Sequence, residues 1–243
     1  MLLFLIGCTD IVTPTLPEQT PGADHLLVVV PSGFEDASVW AEGMADKVQD
    51  HLVDPERWDV WVYDWSVTTS EPIKAAKLAA KHGKWLGREL DDDGRYSYSH
   101  VHFLAHSLGG QLIHAASGVI EGGPTIQETY LDPFGARGVL RTRYGQRHFG
   151  AHADYAEAYL NLDDGVPYTD EALVHAHNFD VTDLASSDFD GEDGHAWPIK
   201  FYKRTVGDED VQVGYTLSVE DGADALAELA VEWPAGETTV VEP

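Results

Sequence analysis

Three observations predict an α/β fold with a mostly parallel sheet. Residues 26–30 are a continuous β-branched run, a helical apolar period follows directly, and the strand–helix alternation repeats to about residue 130. With 243 residues and 43% hydrophobic content the chain can bury the core of one large domain, and it lies outside the composition of disordered chains.

Each element follows from its residues. LLVVV at 26–30 has the unbroken apolar character of a strand buried on both faces. Trp40, Met44, Val48 and Leu52 recur at intervals of four and predict an amphipathic helix over 37–52. WDVWVYDW at 58–65 reads as the next strand. Glu71-Pro72 then opens a second helix, whose exposed face carries Lys74, Lys77, Lys81 and Lys84 and which stops at the Asp-rich turn 91–94. HVHFLA at 100–105 is a third strand, residues 109–116 begin a third helix, and TIQETYL at 125–131 is a strand ending in Asp132-Pro133. Residues 211–243 predict one or two edge strands around 215–219 and an acidic tail from 237.

Charge and cysteine content exclude whole classes of function. Fifteen Lys and Arg against 42 Asp and Glu give a net charge of −27. Such a surface repels phosphate backbones, which excludes nucleic-acid partners, and it opposes unaided adsorption to anionic lipid. The single cysteine allows neither an internal disulfide nor a cysteine-based zinc site.

That cysteine has a distinctive setting. Residues 1–7, MLLFLIG, are too short an apolar run to span a bilayer but suffice for an export signal, although no Lys or Arg precedes them. Leu5-Ile6-Gly7-Cys8 resembles the lipobox of bacterial lipoproteins. The resemblance implies a signal peptide over 1–8, lipid attachment at Cys8, and a chain anchored at an outer membrane or cell surface. Residues 9–24, rich in proline and without apolar period, read as a tether, and the folded domain spans 25–243.

The chemistry concentrates at Ala105-His106-Ser107-Leu108-Gly109-Gly110, where a strand turns into a helix. A nucleophile elbow needs small residues two places either side of its serine, where strand and helix pass closely. Ala105 and Gly109 meet that need, Ala105 replacing the glycine usual at the first place. AHSLGG, followed 25 residues after its serine by Leu131-Asp132-Pro133, resembles the lipase superfamily of α/β-hydrolases typified by pancreatic lipase. The Tyr-Asp-Trp of 63–65 and the Gly33-Phe34 turn agree with it, and the resemblance covers most of residues 26–202.

It implies an α/β-hydrolase fold with helices on both faces of the sheet, Ser107 as nucleophile, Asp132 as acid, and an oxyanion hole from the backbone N–H groups of Phe34 and Leu108. Ser32 stands where relatives often carry His. In the chain order serine, acid, histidine, five of the twelve histidines follow the acid: His148, His152, His175, His177 and His195. His195, with Pro198 and the aromatic pair Phe201-Tyr202 after it, resembles the lipase-like pattern and is the expected base, with His177 in reserve.

The implied function is a carboxylic ester hydrolase acting on an ester or lipid substrate through an acyl-enzyme, without metal or other cofactor. A thioesterase, acyltransferase or amidase with the same triad is the alternative, as is a non-catalytic binding lipoprotein of this fold. Two further features stand out. Asp188-x-Asp190-Gly191-Glu192-Asp193 is acidic but lacks the spacing of an EF-hand loop. Arg137, Arg141, Arg143 and Arg147 gather half the arginines just after Asp132, at an expected border of the substrate mouth. The interval 133–194 shows no amphipathic lid helix.

Overall fold

The computed structural model describes residues 11–242 except 68, 92–93, 186–193, 209, 212, 216, 218 and 220–221. Seven strands, β1 (His25–Val30), β2 (Trp58–Val62), β3 (His100–His106), β4 (Thr125–Leu131), β5 (Tyr155–Leu160), β6 (His177–Asp180) and β7 (Thr238–Val240), form one sheet in the order β2-β1-β3-β4-β5-β6-β7. Every neighbouring pair is parallel. Among the described residues the α-helices α1 (Ala41–His51), α2 (Pro72–Leu90), α3 (Gly109–Ser117), α4 (Tyr144–His148), α5 (Thr182–Ala185), α6 (Trp197–Thr205) and α7 (Gly222–Glu232) accompany them.

The all-buried β1 shows why the sheet needs two covers. Leu26, Val28 and Val30 face a core completed by Ala75, Ala79 and Leu86 of α2 and Leu112 and Ile113 of α3. Leu27 and Val29 face the opposite core with Met44 and Val48 of α1, Tyr202 of α6 and Leu229 of α7. Each such aliphatic side chain taken out of water contributes roughly 1.5–3 kcal/mol, so the alternation holds both helical layers.

Between α2 and α3 the helices nearly touch. A Cβ at Gly83 would meet the Leu112 carbonyl, and one at Gly87 the Ala116 carbonyl. Small residues at these two positions let the backbones approach.

The chain runs from β1 outward to β2, then crosses back to β3 on the other side of β1. The helix after β1 lies on one face and the helix after β3 on the other, so their loops part at the carboxyl edge of the sheet. Ligand crevices of parallel sheets open at such a switch point.

Three segments differ from the sequence expectation. The proline-rich segment read as a tether docks on the domain between residues 16 and 24. Leu16 is buried in the core, the Tyr96 hydroxyl donates to the Pro17 carbonyl at 2.7 Å, and Thr20 N–H donates to Asp59 at 3.0 Å. Prolines that break helix and strand periodicity do not prevent an extended segment from packing. Strand β2 ends at Val62, and Tyr63 and Trp65 are buried beyond it. In the C-terminal region the strand forms at Thr238–Val240 and not around 215–219, where Tyr215, Leu217 and Val219 are buried in the α1-side core. Cys8 and the acidic 188–193 loop lie outside the described residues.

Candidate active site

The elbow forms as its residue sizes require. Ser107 takes φ +52°, a left-handed backbone unusual for a residue with a side chain. Backbone bonds hold it: Ser107 N–H donates to the Leu131 carbonyl at 3.1 Å, and its own carbonyl accepts from Gly110 and Phe134 at 3.0 Å each. A Cβ at Gly109 would lie 2.7 Å from the Val30 carbonyl oxygen and 3.2 Å from the Ala105 methyl. Glycine is therefore needed at 109, whereas the Ala105 methyl has room.

Ser107, Leu108, Phe34, Glu35, Phe134 and His195 line one cavity of about 280 Å³, at the carboxyl ends of β1 and β3. Four residues of the sequence reading, Ser107, His195, Phe34 and Leu108, thus converge there. Leu108 stands at the N-terminus of α3, where backbone N–H groups and the helix dipole favour negative charge. Phe34 N–H donates a long 3.3 Å bond to Ser32 Oγ, so Ser32 braces this loop. Trp65 closes under it, its indole donating to the Pro31 carbonyl at 2.9 Å.

His195 sits in a short 3₁₀ turn before α6 and is largely buried. Its loop is tied at two points: Asn161 donates to the Gly194 carbonyl at 2.9 Å, and His106 Nε2 meets the His195 carbonyl at 3.0 Å. Facing a carbonyl, that His106 nitrogen carries the proton and donates. The His106 ring packs against His195 at a tilt of 44° with centroids 4.5 Å apart, and its Nδ1 lies 3.6 Å from Glu35 Oε1, which also accepts from the Trp40 indole at 3.0 Å. Burial pushes His106 below the usual imidazole range despite Glu35.

Two carboxylates face His195 Nδ1. Asp132 Oδ2 lies 3.5 Å away, and Asp164 Oδ2 lies at 2.9 Å in a formed hydrogen bond. Both side chains are fully buried. Burial would lower His195, but the two carboxylates overcome it and hold the imidazole above its usual range.

Asp164 is the functional candidate that sequence reasoning missed. It follows the carboxyl end of β5 by four residues, as Asp132 follows β4 by one. The available signal was the Asp163-Asp164-Gly165 turn after a strand, but the ending of β5 at Leu160 was not among the elements read from the sequence.

The other histidines after the acid lie elsewhere. His177 bonds the Pro234 carbonyl and Thr239 from the start of β6, and His152 stacks on His114. The arginine cluster borders a separate cavity of about 520 Å³, lined by Arg141, Arg143 and Arg147. Arg143 pairs with Glu171 at 2.9 Å, and Arg137 lies 4.6 Å over the Tyr144 ring. Between residues 133 and 194 the described helices are only α4 and α5, of five and four residues, and neither forms a lid helix.

Among the described residues, Asp132, Asp164 and His195 are the one group whose ligand atoms lie within 4.8 Å of one another as a metal site requires. The Asp164–His195 hydrogen bond and the approach of Asp132 to the same ring nitrogen account for that proximity.

The parallel strand order, the serine turn between β3 and α3, and the histidine turn after β6 define the α/β-hydrolase fold. No family model matches the chain, and no curated protein matches it. Among solved structures it is similar to the RedJ thioesterase of the prodiginine biosynthetic pathway in Streptomyces coelicolor, with 14% identity and a TM-score of 0.37 over 80% of this chain and 96% of that one. A likeness of that size assigns no chemistry, which rests on the site itself.

Proposed function

We propose that the protein is a serine-dependent acyl hydrolase of carboxylic esters. The observation that carries this reading is the convergence of a left-handed Ser107 and a carboxylate-bonded His195 on one cavity at the sheet's switch point.

In this reading Ser107 Oγ attacks the acyl carbonyl and its proton passes to His195 Nε2. The tetrahedral oxyanion is held by the N–H groups of Leu108 and Phe34, the latter turning from Ser32. Collapse expels the alcohol, which takes the proton from His195, and water then releases the acid from the acyl-serine by the same route. The buried carboxylate hydrogen-bonded to His195 Nδ1 fixes its tautomer and stabilises the imidazolium. The same constellation supports thioester substrates, since it sets the acyl chemistry and leaves the leaving group open.

A cavity of about 280 Å³ is small for a ligand site and favours short acyl groups. The lipobox-like residues 5–8 support activity at a membrane surface outside the cytoplasm.

The test is hydrolysis of p-nitrophenyl esters and matched thioesters from acetyl to palmitoyl, with labelling by a fluorophosphonate. Short esters should be turned over fastest, and Ser107→Ala should lose both turnover and label. Equal turnover by Ser107→Ala would overturn the reading.

A further inference from the structure

Two loops deliver a buried aspartate to one histidine, and their hydrogen bonds divide the work. Asp164 Oδ2 takes the His195 Nδ1–H bond at 2.9 Å, while Asp132 Oδ2 stands off at 3.5 Å without a hydrogen-bond partner among the described residues.

The rest of each carboxylate is committed differently. Asp132 Oδ1 accepts the Asn161 backbone N–H at 2.8 Å, and Asp132 itself sits at φ +40° in the turn after β4. Asp164 is aimed by a cradle: Val166 N–H donates to Oδ1 at 2.8 Å, and the buried Thr169 hydroxyl lies 3.0 Å from Oδ1 and 2.9 Å from Oδ2.

We propose that Asp164 is the positioning carboxylate of His195, and that Asp132 acts through the backbone of Asn161 rather than on the imidazole. This deepens the serine-hydrolase reading and rests on it for its kinetic arm. Asn161 links the two, since its side chain also holds the His195 loop through the Gly194 carbonyl.

The two carboxylates also differ in their surroundings. Two carboxylates whose oxygens come within 4.8 Å in a buried pocket resist ionising together. Burial pushes Asp132 above the usual carboxylate range, whereas hydrogen bonds from His195, Val166 and Thr169 outweigh burial and hold Asp164 below it. One negative charge on Asp164 then faces the imidazolium formed when Ser107 gives up its proton. Neither carboxylate gains or loses a proton in the cycle.

The test compares Asp164→Asn, Asp164→Glu, Asp132→Asn and Thr169→Val in the full chain, with thermal melts to establish folding. Asn is well suited to position 132, because it tolerates φ > 0 and its amide oxygen can still accept from Asn161. Expected are a loss of about 10³-fold or more in kcat for Asp164→Asn, partial recovery in Asp164→Glu, and less than about 10-fold for Asp132→Asn.

A second readout needs no substrate: the downfield proton resonance of His195 Nδ1–H, assigned by its loss in His195→Gln. It should survive Asp132→Asn, vanish in Asp164→Asn and shift in Thr169→Val, a variant that leaves Asp132 untouched. A resonance that survives Asp164→Asn and vanishes in Asp132→Asn would overturn the assignment, as would an unmoved resonance in Thr169→Val. Failure of the hydrolase reading would show separately, as turnover and label surviving Ser107→Ala.

Discussion

Ser107 can hold its left-handed backbone because its neighbours leave no alternative: Leu131 takes its N–H, and Gly109 passes under the Val30 carbonyl at a distance no side chain would permit. The same local logic made the serine legible, since the elbow's demand for small residues is a demand on contiguous sequence. His195 was reached through chain order and resemblance, and Asp164 was not reached at all. Its cradle of Val166 and Thr169 lies in a loop without periodicity, and its distance from His195 is a fact of three dimensions. The charge state of the pair makes a prediction at this scale. The carboxylate bonded to His195 favours its protonated form, yet attack by Ser107 needs the neutral imidazole, so activity rises as pH climbs through the folded-state value. Because that value is raised, the acid limb of kcat/KM should fall above the unperturbed imidazole value of about 6.5. A pH–rate profile whose acid limb falls at or below that value would contradict the arrangement.

Elements were read well where one period dominates a run. The buried run of β1, the amphipathic α1 and the strand β4 each form where the pattern placed them, within a few residues. The misreadings share a cause: burial of segments that carry no period. Leu16 packs from a proline-rich stretch, and Tyr215, Leu217 and Val219 alternate like a strand but fill a core beside α7. The α2–α3 contact was equally hidden, because two glycines in a helical pattern look like weak points until the facing backbone is known. Gly83→Ala should destabilise the fold by about 1–3 kcal/mol through overpacking against the Leu112 carbonyl. For a domain of this size that corresponds to a fall in Tm of about 2–4 °C per kcal/mol, measurable by calorimetry. A neutral or higher Tm would show that α2 and α3 separate more easily than their packing indicates.

For the whole molecule, the balance of −27 is a term the fold must carry. Fifteen basic side chains cannot neutralise 42 acids, and several pairs, such as Arg57–Asp24 and Arg95–Glu89, lie partly exposed where water weakens them. Self-repulsion of the compact state is therefore screened by salt, whose Debye length falls from about 10 Å at 0.1 M to about 3 Å at 1 M. Thermal melts in potassium chloride should rise over that range, and a fall would mean that the exposed pairs outweigh the repulsion.

The sequence by itself determined the α/β alternation, the elbow turn, and the acidic charge balance. These are properties of contiguous residues or of totals, and local sterics and counting read them directly. Only the tertiary structure decided which carboxylate bonds His195, that His106 and Glu35 brace its turn, and that the arginines border a different cavity. The reason is physical. A parallel sheet gathers at one edge the loops that follow strands far apart in sequence, and which side chains meet there depends on distances between loops that no local pattern encodes.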